Sequence, residues 1–425
     1  MRIIVKNFGP IAQADIELKN LTLLIGEQAS GKSTLAKVVY FFKSIKEEIY
    51  RLVRYEYEFL DLTTMLIPKL QDRFTLFFGS SKLLKSDFEI TYYYAKDRFF
   101  SIHNTQDSKI GFYSVNQAST FTSMLSGIQP IYEAIKKYQK VNDFEALESY
   151  GQQLKIIIDD FFEDSQKPIY IPAGRNISVS YPDYFQKIFF SDLDASIDKL
   201  KPTANSRGGA DLFLMQDFIR YTERSLKGVV FEQQYPISET INKILKHEYK
   251  LDNGVEKLLL NDNDFVRLDQ ASTGQQESIR ILQDIYLCIT QQEKAFRVIE
   301  EPEAHLFPKA QKLIIELLAT MVNQTNSQVM LTTHSPYVLM LLNNLLYANQ
   351  VDKLIGSQRI VAKEAQLCEE HFVAYTLKAK GERFITEQIT NNGLIGHNYL
   401  DEISEEIGQD FEEMYQLHAN YLQEI

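Results

Sequence analysis

What this chain has little of narrows it first. It holds two cysteines, Cys288 and Cys368, in 425 residues. Two thiols so far apart offer neither a disulfide framework nor a zinc site, and they point to a reducing compartment. No apolar run approaches the ~18 residues that a membrane helix needs, so no membrane partner is expected. No charged and then apolar leader precedes the opening strand, and the expected location is the cytoplasm. Internal repeats and low-complexity tracts are missing as well. Positive charge is also scarce: 45 Lys and Arg stand against 57 Asp and Glu, a net charge of −12. That balance excludes the broad basic footprint of a dedicated nucleic-acid binder. Lys82-Leu83-Leu84-Lys85 and Lys136-Lys137-Tyr138-Gln139-Lys140 are basic but short, and such clusters are more often solvated helix faces than phosphate contacts. With 44% hydrophobic and 24% charged residues, what remains is a globular chain able to bury a large core.

Against that background one stretch stands out. Gly26-Glu27-Gln28-Ala29-Ser30-Gly31-Lys32-Ser33-Thr34 fits the pattern G-x-x-x-x-G-K-[ST] in full. Leu21-Thr22-Leu23-Leu24-Ile25 before it is a continuous apolar run, as expected of a buried strand, and Ile3-Ile4-Val5 reads as another. After it Leu35, Val38, Val39, Phe42, Ile45 and Ile49 recur at helical spacing. Strand, glycine loop and helix in register make a phosphate cradle: backbone N–H groups curl around the anion, and the helix N-terminus adds its dipole. Lys32 is expected on the β- and γ-phosphates of ATP, and the Ser33 hydroxyl on Mg²⁺.

Three further stretches complete a hydrolytic set. Phe296-Arg297-Val298-Ile299 ends in Glu300-Glu301-Pro302-Glu303, placing Glu300 to support Mg²⁺ and Glu301 to polarise the attacking water. The plainer alternative is a solvated helix start, since Pro308 and an amphipathic stripe follow. Gln328-Val329-Met330-Leu331-Thr332-Thr333 ends in His334, where a neutral imidazole can sense the γ-phosphate; the alternative is a helix-capping turn. Ala271-Ser272-Thr273-Gly274-Gln275-Gln276 opens a helix marked by Ile279, Leu282, Ile285, Tyr286 and Ile289. Ser272 or Thr273 is its N-cap. Ser272, Thr273, Gly274 and Gln275 suit a γ-phosphate that another copy's P-loop already holds, so two copies close on ATP together.

In this order the motifs resemble an ABC-type ATPase of the RecF and SMC branch. They resemble more closely the stand-alone AAA-15 or OLD-like ATPases of bacterial DNA-repair and anti-phage systems. Glu300-Glu301-Pro302-Glu303-Ala304-His305-Leu306-Phe307-Pro308 is similar to that subgroup's Walker B and D-loop block, and Lys6-Asn7-Phe8-Gly9-Pro10-Ile11 to its N-terminal signature. The matches are dense only near the start and between Leu268 and Tyr337. Tyr170-Ile171-Pro172-Ala173-Gly174-Arg175 is a further match in kind; Arg175 sits near the nucleotide or the dimer interface, or makes a structural salt bridge. Departures are Glu300 where transporters carry Asp, and Phe307 where their D-loop ends in Asp. A Q-loop residue is not assignable, Gln117 being a weak candidate.

The resemblance implies an α/β fold: a P-loop NTPase of ABC-ATPase head type, with a mixed sheet flanked by helices, an antiparallel β lobe and a helical insertion. It implies slow hydrolysis of ATP with Mg²⁺, self-assembly as a homodimer or higher oligomer, and control of a separate nuclease or toxin effector. Nucleic acid would be met directly or through that partner. A RecF-like DNA-binding ATPase, an ATP-holding scaffold and a transporter subunit are the rivals.

The expected division is 1–43 (P-loop part of the head), 44–167 (helical insertion with β-hairpin lobe), 168–267 (lobe with helical subdomain), 268–345 (signature, Walker B and His334) and 346–425 (strand and helix extension). The hairpin is Phe88–Tyr94 with Arg98–Ile102. Gly228–Glu232, Tyr249–Leu251 and Val255–Leu260 read as strands, and Asp183–Leu226 as mostly helical. After His334 too little chain follows for a TOPRIM nuclease domain. His371–Leu377 is a strand, and a last helix carries Leu400, Ile403, Ile407, Phe411, Met414, Leu417 and Tyr421 in a stripe expected to be core.

Overall fold

The computed structural model describes residues 1–55, 62–79, 87–104, 110–113, 118–180, 209–261, 263–355, 360–378, 385–397 and 399–423. The chain opens with β1 (Arg2–Phe8), β2 (Ile11–Glu17) and β3 (Leu21–Gly26), followed by α1 (Lys32–Lys43), α2 (Ile45–Tyr55) and α3 (Leu62–Phe78). Next come β4 (Glu89–Ala95), β5 (Arg98–Asn104), β6 (Ile110–Tyr113), α4 (Ala118–Lys140), α5 (Phe144–Phe162), β7 (Lys167–Ile171), α6 (Ile177–Ser180) and α7 (Ala210–Tyr221). The second half runs α8 (Pro236–Leu245), β8 (Glu248–Asp252), β9 (Val255–Leu259), β10 (Phe265–Arg267), α9 (Thr273–Gln291), β11 (Ala295–Glu300) and α10 (Pro308–Thr325). It ends with β12 (Gln328–Thr332), α11 (Pro336–Ile355), β13 (Phe372–Leu377), β14 (Ile385–Glu387) and α12 (Tyr399–Gln423).

These strands form the mixed α/β architecture that the motif order implies. The central sheet has the order β14-β13-β3-β12-β11-β7. All its strands are parallel except β14 at the edge. Helices cover both faces, which is why β3, β11 and β13 are buried along their whole length and lack the in-out alternation of a half-exposed strand. A second sheet, β2-β1-β4-β5-β6, is antiparallel throughout. It joins the N-terminal hairpin to the aromatic hairpin, so β1 and β2 of the expected 1–43 unit share one lobe with the hairpin of 44–167. Phe8, Phe74, Phe78 and Phe88 meet there with ring centroids 4.9–6.0 Å apart. Burying each such ring stabilises the fold by ~1.5–3 kcal/mol.

Several expected elements change on folding. The stripe from Leu35 to Ile49 belongs to two helices, because the chain bends at Ser44, whose hydroxyl donates to the Phe41 carbonyl and accepts from Arg73. The helical stretch from Ala118 to Phe162 is likewise broken, and Asp143 caps α5 by accepting from the Ala146 amide. Gly228–Glu232 is not a strand. The Gly228 amide donates to the Tyr249 hydroxyl and Gln283 donates to the Val229 carbonyl, so side chains satisfy this backbone where a ladder would. The strand at 372–377 pairs with β3 from Phe372 opposite Leu21 to Leu377 opposite Gly26. It is therefore part of the central sheet and not an extension beyond residue 346. The last helix also departs from expectation: Ile407, Phe411 and Met414 are 64%, 66% and 61% exposed, so their stripe is not core. Gln117, the Lys82–Lys85 cluster and the helical stretch at 181–208 lie outside the described residues.

Candidate nucleotide site

Parallel strands end together at one edge of the central sheet, and ligands of open α/β sheets bind at that edge. β3 delivers Gly26 there with φ 151°. A Cβ on Gly26 would run into the Leu377 carbonyl at the end of β13 and into Ser30 Oγ, so glycine is required. Ala29 (φ 62°) and Gly31 (φ 101°) complete the loop in left-handed backbone, and Gly31 caps α1. Lys32 Nζ folds back and donates to the carbonyls of Gly26 (2.7 Å) and Glu27 (2.8 Å). Burial pushes this ammonium down to about 8, against the opposing pull of Glu301 and Glu27. A cavity of about 790 Å³ opens beside it, lined by Pro10, Gln28–Thr34, Glu301 and His334. The structure thus brings together the P-loop residues and both residues expected to act on the γ-phosphate.

The two carboxylates at the end of β11 have different surroundings. Glu300 is buried, and one of its oxygens accepts from the Ala173 amide at 3.2 Å. Its Oε1 and the nearby Tyr170 hydroxyl are buried without a hydrogen bond. The Tyr170 hydroxyl still interacts with this carboxylate, but a desolvated oxygen short of hydrogen bonds fits a metal ion or its water; Ser33 lines the cavity, whereas Glu300 does not. Glu301 is half-exposed toward the cavity, its Oε1 3.8 Å from His334 Nε2. Its backbone lies at φ 44°, a left-handed conformation unusual for glutamate that surrounding contacts must hold. The Glu301 amide donates to the Thr332 carbonyl at 3.0 Å, and its own carbonyl accepts from Ala304. Burial and the nearby Lys32 charge lower the His334 pKa, opposed by Glu301.

Glu303 was legible only as part of an acidic run, yet it is buried and has a defined task. One oxygen accepts from Thr333 Oγ1 and from the His334 amide, tying the turn after β11 to the end of β12. Burial raises its pKa against those hydrogen bonds. Pro10, in the turn between β1 and β2, lines the cavity and was not singled out as a site residue by the motifs alone.

The signature stretch lies outside this cavity. Ser272 and Thr273 are exposed. Ser272 caps α9 in a closed capping box with Gln275, whose amide also donates to the Leu245 carbonyl at 2.7 Å. A Cβ on Gly274 would stand 2.5 Å from the His305 carbonyl, so the helix start lies directly against the turn after Glu301.

Arg175 resolves its alternatives in favour of the interior. It is fully buried and donates to the carbonyls of Pro172 (3.1 Å), Glu300 (2.8 Å), Glu301 (3.0 Å) and Glu277 (2.8 Å). Its Nε is also 3.3 Å from the Glu277 carboxylate. It is neither exposed nor among the residues that line the cavity. Two more buried charges on α9 continue this pattern: Arg280 pairs with Glu256 at 2.6 Å, and Asp284 with Arg297 at 2.7 and 2.9 Å.

The family model for an AAA ATPase domain, AAA_15, matches residues 1–339. The chain belongs to this family. No curated protein matches the AAA_15 chain. Among solved structures it is similar to an SMC head bound to the C-terminal winged-helix domain of ScpA, at 13% identity and a TM-score of 0.41. Two others are an SMC head with an extended coiled coil bound to a ScpA domain derived from Pyrococcus furiosus and the SMC head domain from Thermotoga maritima, each at 12% identity and a TM-score of 0.36. Each alignment covers 80% of this chain and 90% of the other. Among the described residues, no helix of this AAA_15 protein is long and apolar enough to cross a membrane.

Proposed function

We propose that this protein is an ATP-hydrolysing switch whose copies assemble through shared ATP sites. The observation that carries the reading is the composition of the cavity: P-loop, Glu301 and His334 line it, while the signature at Ser272–Gln275, exposed at Ser272 and Thr273, does not. A site lacking its own signature is suited to completion by another copy. The N–H groups at the start of α1 and Lys32 bind the phosphates. Ser33 and Glu300 would hold Mg²⁺, which when bound would supply positive charge toward the phosphate oxygens. Glu301 takes the proton of the attacking water, and His334, kept neutral, donates to the γ-phosphate. Ser272, Thr273 and Gly274 meet the γ-phosphate of the facing copy, with Gln275 holding the capping box that presents them.

The output, control of a separate nuclease or toxin in bacterial anti-phage defence, is supported by the resemblance of the Glu300–Pro308 block alone. ATP turnover and light scattering on the full chain test the switch. Glu301→Gln should still assemble with ATP but lose hydrolysis by ~10²-fold or more, and wild-type turnover in that variant overturns the base assignment. Salt-sensitive duplex binding with DNA-stimulated hydrolysis would instead favour the RecF-like reading.

A further inference from the structure

The segment from Glu301 to His305 is held to α9 at both ends. At its start Arg175 donates to the carbonyls of Glu300 and Glu301 and, through Nε, to the carbonyl of Glu277 on α9. At its end the His305 carbonyl lies against Gly274, in the first turn of the same helix. Both terminal residues have left-handed backbone, φ 44° at Glu301 and φ 58° at His305. The turn between them closes through Ala304 to Glu301 and Leu306 to Glu303 hydrogen bonds. α9 begins at Ser272, the residue expected to meet another copy's ATP.

We propose that Arg175 is a positioning residue that couples the signature helix to Glu301, so that docking of a second copy on α9 sets the geometry of the hydrolytic carboxylate in the first. This rests on the shared-site reading above. The physical basis is the shape of guanidinium. Its planar fork reaches four carbonyls and the Glu277 carboxylate in one rigid unit, which a lysine ammonium on a flexible stem does not reproduce. A displacement of α9 at Glu277 therefore reaches the backbone of Glu300 and Glu301 through a single side chain. The close contact between Gly274 and His305 transmits the same displacement to the other end of the turn. Burial leaves Arg175 no water to substitute for a lost partner, so the two ends move together.

The test uses the full chain with Arg175→Lys, Glu277→Gln and the double variant. In the wild type, turnover per protomer should rise with protein concentration as assembly proceeds. Each single variant should bind a fluorescent ATP analogue within about threefold of wild type, since neither residue lines the cavity. Each should also assemble with ATP by light scattering, yet lose kcat by about 10- to 100-fold, the scale of an ångström-sized misplacement. KM for ATP should move little, and the rise of turnover with concentration should vanish. The double variant should be no slower than Arg175→Lys alone, because the Glu277 carboxylate acts on this link only through its ion pair with Arg175. Wild-type kcat and concentration dependence in either variant would overturn the coupling. So would turnover falling only in parallel with ATP-driven assembly or thermal stability, which would make Arg175 a brace alone. Glu277→Gln is nearly isosteric and keeps the test usable if Arg175→Lys folds poorly. A wild-type chain with no hydrolysis would sink the shared-site reading itself, whereas wild-type hydrolysis with unaltered variants would sink only the coupling.

Discussion

Lys32 shows how a single residue carries a pH dependence. Its buried ammonium sits near 8, below the ordinary lysine value, and it must be charged to attract phosphate. ATP affinity of the empty protein should be level below pH 8 and weaken as pH rises through it, measurable by titrating a fluorescent analogue. The same chemistry has an acid limb. His334 lies below the ordinary histidine value of 6.5, so it is neutral at pH 7 and should become cationic only in more acid solution. Turnover that depends on neutral His334 should then fall on that side, and His334→Ala should remove the limb along with most of the activity. At Gly26 the constraint is steric. Gly26→Ala places a methyl group against the Leu377 carbonyl in a backbone region unfavourable to L-residues. ATP binding should be lost and the melting temperature lowered. These residues were legible in the sequence because a P-loop is local: its glycines, lysine and hydroxyl act within one turn of chain. Glu303 was not, and Arg175 was marked without its partners, since those that both residues bind lie in other elements.

The signature helix is the element on which sequence and structure differ most in meaning. Its apolar stripe was readable at Ile279, Leu282, Ile285 and Ile289, all of them buried. Its charged residues Glu277, Arg280 and Asp284 are buried too and fasten α9 to Arg175, to Glu256 of β9 and to Arg297 of β11. Asp284→Asn would leave the Arg297 guanidinium buried without its counter-charge. Such a loss destabilises by ~3–5 kcal/mol, to be read from the midpoint of urea unfolding. Periodicity reports which face is inside but not whether an opposite charge waits there. α12 shows the converse: its apolar stripe is real, but Ile407, Phe411 and Met414 are exposed. Phe411→Ser should therefore change stability by no more than ~0.5 kcal/mol. Phe372→Ala, in a strand that flanks β3, should cost ~3–5 kcal/mol.

At the scale of the whole molecule the decisive feature is the separation between the signature and the cavity of its own chain. If sites are shared, turnover per protomer must depend on protein concentration, and Ser272→Arg should abolish ATP-driven assembly while leaving ATP binding to the isolated chain intact. Light scattering and analogue binding on one sample distinguish the two. The sequence by itself determined the parallel α/β core, the phosphate loop and the order of the hydrolytic motifs. Each of these is written in short-range patterns: apolar runs of strand length, glycines in register and carboxylates at a strand end. Only the tertiary structure decided that β13 enters the central sheet beside β3, that Glu303 secures the His334 turn, and that Arg175 binds the signature helix to the backbone of Glu301. Those outcomes depend on which strands pair across long stretches of chain and on which buried charges then find partners, and neither is encoded in the spacing of neighbouring residues.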